Sequence, residues 1–105
     1  IRSVAVEESS AGVTVTVVGP EGNVVTRAAR QSQRGIDEAI VAAVGLLRDS
    51  AAPAPGLLSV ERATEHPVLT VVLEGHDGVT MVGAAVVQAS VPLALARAVW
   101  AALRS

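Results

Sequence analysis

The apolar positions along this chain follow two periods. Over Val13–Val18 they alternate with threonines, V-T-V-T-V-V, the spacing of a strand with one buried face, and the β-branched residues suit a pleated surface. From Ile36 to Leu47 they recur three or four apart, as Ile36, Ala39, Ile40, Ala43, Val44 and Leu47, which lines one face of a helix. Asp37 and Glu38 read as charges in the first turn of that helix, where negative charge suits the positive end of the helix dipole. "VVGPEGNVVTRAA" (residues 17–29) is two apolar runs around a turn, with glycine free to take positive φ and proline fixing a corner. The predicted order is strand, strand, strand, helix: Ser3–Glu8, Val13–Val18, Val24–Ala29, then the helix carrying Ile36 to Leu47.

The same order returns 56 residues later. Slid by that distance without a gap, Ser3, Val4, Thr14 and Val15 meet Ser59, Val60, Thr70 and Val71. Gly19 and Gly22 meet Gly75 and Gly78, and the helix end Leu47-Arg48 meets Leu103-Arg104. Ala28, Ala29 and Ala42 likewise meet Ala84, Ala85 and Ala98. The second set of strands is expected at Leu58–Ala63, Val68–Glu74 and Val79–Ala85, with "GHDG" as the turn between the last two. Ser90 is the expected cap of the second helix, with Pro92 in its first turn and Leu95, Val99 and Leu103 as its apolar stripe. The chain thus reads as one domain, residues 1–105, built from repeats 3–49 and 59–105 joined by the short linker 50–56, "SAAPAPG".

Six strands and two helices in this order predict an α+β fold, an internally duplicated βββα-βββα unit with antiparallel sheets covered by helices. Val71-Val72-Leu73 and Ala84-Ala85-Val86-Val87 break the alternation, and strands apolar on both faces want cover on both faces. A homodimer or a docking surface on a larger protein is therefore expected.

Composition narrows the function. Half of the 105 residues are apolar, yet Phe and Tyr are absent and Trp100 is the sole aromatic, so stacking groups for bases or sugars are missing. A formal charge of -2 with 17% charged residues argues against nucleic acid, which wants a basic stripe. No cysteine is present, so disulfide, thiolate and zinc–sulfur chemistry are excluded. No apolar run approaches the roughly 20 residues of a bilayer span, and Ile1-Arg2-Ser3-Val4 reads as a strand rather than a signal peptide. No membrane association and a cytoplasmic setting are the expectation. Without an initial Met, the chain reads as a fragment or a processed form.

Candidate chemistry is thin. His76-Asp77 lies in a turn without a nucleophile, and His66 and His76 lack the third and fourth ligands that a metal site needs, so both read as incidental and no metal or cofactor is expected. Asp37 and Glu38, adjacent on a helix, point about 100° apart and read as helix-end charges rather than a catalytic pair. "RAARQSQRG" (residues 27–35) is different: three arginines precede a helix start carrying acidic residues. Such a junction can receive both a carboxylate and an ammonium; the alternative is an exposed loop solubilised by its arginines.

At these junctions, "GIDEAIVAAV" (residues 35–44) and "SVPLALARAVWAAL" (residues 90–103), the chain resembles the C-terminal regulatory domain of 2-isopropylmalate synthase and its citramalate synthase relatives. Gly35, Glu38 and Ala39 fall on the Gly, the acidic residue and the final Ala of that family's Gly-Pro-Val-Asp-Ala segment, and Ser90-Val91 on a polar–Ile pair. Ile36 stands where the family has Pro, Leu95 where it has Ser, and Arg27, Ala29 and Ala85 lie where it has repeated glycines. The resemblance implies a homodimer that binds leucine or isoleucine near the subunit junctions and inhibits a separate, upstream catalytic barrel condensing acetyl-CoA with a 2-oxo acid. It implies no catalytic residue in this chain. Together these readings place a small amphoteric effector, such as a branched-chain amino acid, against Arg30, Gly35, Ile36, Glu38, Ala39, Ala85, Ser90 and Val91. The alternative is a stand-alone homodimeric scaffold or interaction module without an amino-acid site.

Overall fold

The computed structural model describes residues 1–104; Ser105, the last residue of the expected second repeat, lies outside them. In chain order the elements are β1 (Ser3–Ser9), β2 (Gly12–Val18), β3 (Val24–Ala29), α1 (Gln33–Arg48), β4 (Gly56–Arg62), β5 (Val68–Glu74), β6 (Thr80–Val86) and α2 (Val91–Arg104). The duplicated βββα architecture is therefore present. Each repeat forms its own antiparallel three-stranded sheet, β1-β2-β3 and β4-β5-β6.

The β2–β3 and β5–β6 hairpins match residue for residue. Val15 pairs with Arg27 and Val71 with Gly83, each 56 positions on. Their turns close with the same two bonds: Gly19 N to Asn23 O at 2.7 Å and Gly22 N to Gly19 O at 3.0 Å, against Gly75 N to Val79 O and Gly78 N to Gly75 O, both 2.9 Å. Gly22 and Gly78 hold φ of 86° and 83°, a left-handed conformation that side chains with a Cβ rarely adopt.

The first strands do not match. Val4 faces Val17, but its sequence counterpart Val60 faces Val71 instead of Leu73, a slip of two residues. An irregularity between Leu57 and Ser59 accompanies the slip. An extra residue at such a bulge lets Leu57 and Val60, three apart, both turn toward the core, while Leu58 is left exposed. The expected strand Leu58–Ala63 accordingly begins earlier, at Gly56. Arg34 of α1 donates a hydrogen bond to the Leu57 carbonyl at this bulge.

Alternation places Val13, Val15 and Val17 of β2, and Leu69, Val71 and Leu73 of β5, on the buried faces. The two helices pack on each other. α1 covers β2 and β3 and touches β4, while α2 covers β5 and β6 and touches β1. This crossing of helices to the other repeat's first strand joins both halves in one core, in which Ile40, Val44, Leu95 and Val99 are fully buried. Trp100 is only partly buried and carries the Arg48 guanidinium 5.9 Å from its ring centre, a cation–π contact between the helices.

The outer faces of the sheets differ. On the first sheet the outward rows are Ala5–Thr16–Thr26 and Glu7–Thr14–Ala28, with the two threonine hydroxyls 3.3 Å apart. On the second they include Ser59–Val72–Val82 and Val68–Val86, and Val82 and Val86 remain about half exposed.

Close packing is tightest at Gly83. A Cβ built there would fall on the Ala98 carbonyl oxygen and 2.6 Å from the Ala102 nitrogen, so β6 lies directly on the backbone of α2. Gly83→Ala is therefore expected to cost about 1–3 kcal/mol by overpacking, read as a lower urea midpoint at unchanged slope. An unchanged midpoint would contradict this contact.

Candidate functional site

The junction between β3 and α1 is shaped by two small residues. Ser32, in extended conformation, caps α1 by accepting from Gly35 N at 2.9 Å, and its carbonyl accepts from Ile36 N at 3.0 Å. The helix thus starts at Gln33. Asp37 and Glu38 lie beyond the first turn, a correction to their reading as first-turn charges, and the segment 27–35 is already helical in its last three residues. Gly35 is required by close approach: a Cβ there would sit 2.7 Å from the Arg30 carbonyl oxygen and 2.8 Å from the Arg30 Cβ. Its absence lets the connecting loop lie on the helix end, which carries Arg30 toward Glu38.

Arg30 Nη2 and Glu38 Oε1 then meet at 2.9 Å. Arg34 Nε lies 3.6 Å from the same carboxylate oxygen, while its Nη2 serves the Leu57 carbonyl. Beside the Arg30–Glu38 pair an open hollow of about 220 Å³ separates β3 from α1. Residues 27–30 form one wall, and Gly35, Glu38, Ala39 and Ala42 form the other. Its lining is part apolar, from alanines, and part charged, from Arg27, Arg30 and Glu38.

Of the eight residues expected to bind an effector, Arg30, Gly35, Glu38 and Ala39 share this hollow. Ile36 turns to a different depression, beside Glu8, Gln31, Ser32 and Gln33. Val91 lies in a third, where Gln33 and Asp37 of α1 face Val91 and Pro92 of α2 with Arg62 nearby. Ser90 caps α2, accepting from Leu93 N at 3.2 Å, and Ala85 packs against the core. Arg27, Ala28, Ala29 and Ala42 complete the hollow and were not among the expected residues. The repeat held the signal for Arg27, because sliding by 56 positions sets it against Gly83, a large charged side chain against none.

His76 is exposed in the second turn, and its neighbour Asp77 spends Oδ1 on Val79 N at 3.1 Å rather than on the imidazole. Among the described residues no cluster of three or more His, Cys, Asp or Glu could hold a metal ion. No helix among them is long and apolar enough to cross a membrane. Compared with known proteins, the chain matches no family model, no curated protein and no solved structure.

Asp37, at the third depression, has a perturbed carboxyl. Burial raises its pKa above the ordinary value near 3.8, against the lowering effects of the hydrogen bond from Gln33 and the charge of Arg34. The folded state therefore binds this proton more tightly than the unfolded chain does. Ionised Asp37 costs stability above the raised pKa, and the cost disappears once pH falls below about 3.8, where both states are protonated. Asp37→Asn is expected to raise the Tm at neutral pH and to leave it unchanged below that value. An equal shift at both ends of a pH series of thermal melts would show that the effect is not ionisation.

Proposed function

We propose that this chain is a non-catalytic regulatory and dimerisation domain that binds a small amphoteric effector of the branched-chain amino acid kind. One observation carries the reading: a guanidinium and a carboxylate stand 2.9 Å apart at an alanine-lined hollow, beside a glycine-dependent loop. A free amino acid brings the same two charges. Its carboxylate replaces Glu38 as the partner of Arg30, and its ammonium replaces Arg30 as the partner of Glu38. Both side chains are well exposed, at 76% and 44%, so the internal pair is worth only about 0–1 kcal/mol and gives way cheaply. A short branched side chain then lies on the alanine lining. The duplicated βββα order supports the same reading, since it is the order that the resemblance to the 2-isopropylmalate synthase regulatory domain implies.

In this reading a catalytic barrel lies upstream in a cytoplasmic enzyme, and the effector acts by favouring one of two states of the assembly. The half-exposed Val82 and Val86 on the second sheet supply the self-association face. That same face favours the second reading, a stand-alone homodimeric scaffold, because its burial needs no ligand.

Leucine, isoleucine or valine at millimolar concentration is expected to raise the Tm of the purified chain, by mass action on the native state. Glu38→Gln should remove the response while leaving the ligand-free Tm within about a degree or two, given the small worth of an exposed pair. A flat wild-type response to all three would leave the scaffold reading. Light scattering is expected to return twice the 10.6 kDa chain mass, and Val82→Glu to return the single mass. A wild-type monomer would remove both readings of that face.

A further inference from the structure

The duplication supplies an internal control for the hollow. Arg27 and Gly83 occupy one position twice: each is 56 residues from the other, each pairs with the central valine of its sheet, and each faces an alanine of the following helix, Ala42 or Ala98. In the second repeat the missing side chain lets α2 settle onto β6, with strand Cα against helix backbone. In the first repeat the same place carries an arginine, whose side chain reaches solvent. α1 lies less closely on β3, and the hollow of about 220 Å³ opens between them. Ala29 lines that hollow; its counterpart Ala85 lines none of the three depressions.

The charges are equally one-sided. Glu38 is already met by Arg30 and Arg34, and Arg34 is also committed to the Leu57 carbonyl. The Arg27 guanidinium has neither an ion-pair nor a hydrogen-bond partner among the described residues. Two guanidinium groups therefore meet the one carboxylate and a third lines the same hollow, an excess of positive charge in a chain whose net charge is -2. The hollow, about 220 Å³ and open at the surface, suits a short ligand.

We infer that the ligand site of this duplicated fold exists in the first repeat only, and that Arg27 both holds it open and anchors a ligand carboxylate. This rests on the proposed function for the location of the site, but not on the ligand being amphoteric. The ligand class is a short aliphatic carboxylate, bound once per chain. The planar fork of Arg27 takes the carboxylate beside Arg30, and the alkyl part lies on Ala29, Ala39 and Ala42. Gly83 closes the matching place in the second repeat.

Calorimetric titration of the whole chain at low salt tests this, with three probes: leucine, 4-methylpentanoate, which lacks the amino group, and leucinamide, which lacks the carboxylate. The expected result is one molecule of leucine and one of 4-methylpentanoate per chain, and no binding of leucinamide. Arg27→Gln, which keeps bulk but loses charge, should weaken both carboxylates by about tenfold or more without lowering the Tm, and Arg27→Gly should let α1 close and abolish binding. Leucine bound with wild-type affinity by Arg27→Gln, or two molecules per chain, would overturn the inference and leave the amphoteric effector in place. Binding of 4-methylpentanoate but not leucine, lost in Arg27→Gln, would overturn the amphoteric effector and uphold the inference. Binding of neither carboxylate to the wild type would overturn both.

Discussion

The distance between each helix and the strand beneath it is set by the side chain that stands between them, and most of this molecule follows from that spacing. With no Phe or Tyr, the interior is built from valine, leucine, isoleucine and alanine, which fill little height between layers. Layers so close leave no room for a second large group at a crossing point. Gly83 meets this limit by having no side chain, so that α2 rests on β6. Arg27 breaks it, and α1 and β3 stand apart around a charged opening. Interiors pack at near-crystalline density, so a single such exchange is felt as space rather than absorbed.

The two repeats have diverged at their edges and kept their centres. Hairpin register, turn glycines and the final helical turn coincide, because each is fixed by a local rule: β pairing across a short turn, positive φ, and the end of an amphipathic stripe. The first strands differ in register between the repeats. In the second repeat β4 has slipped by two residues, and Leu57 has entered the core opposite Leu73. The slip brings the Leu57 carbonyl to Arg34, and so ties α1 to the other repeat's sheet. Arg34 is thereby shared between Glu38 and the Leu57 carbonyl, and Arg27 is left as the hollow's free cation among the described residues. The same asymmetry separates the outer faces, with threonines on one sheet and exposed valines on the other.

Much of this was legible in the residues. The V-T-V-T-V-V alternation gave the buried face of β2, and the 56-residue repeat gave both hairpins, both helices and their shared end. The slip of β4 was not legible, because a shift of two residues keeps every side chain on its own face and so leaves the pattern of Ser59 and Val60 unaltered. The start of α1 was misplaced because Ser32 was passed over as its cap in favour of the more conspicuous charges Asp37 and Glu38. Half of the expected site gathered in one hollow, since Arg30, Gly35, Glu38 and Ala39 are positioned by one loop and one helix face. Ile36 went elsewhere because adjacent helix positions diverge by about 100°, and Val91 lines a separate depression against α1. Arg27 was visible as a member of a basic stretch, but its effect on helix spacing needed the three-dimensional comparison with Gly83.

The central claim is that one position sets the two helix–strand spacings differently, and nuclear Overhauser effects measure it directly. The account predicts strong effects from the Gly83 Hα protons to the backbone and methyl protons of Ala98 and Ala102, and much weaker ones from the Arg27 Hα to Ala42 and Leu46, the matching residues of α1. Equal intensities in the two repeats would contradict it, and the hollow would then have no structural origin in Arg27.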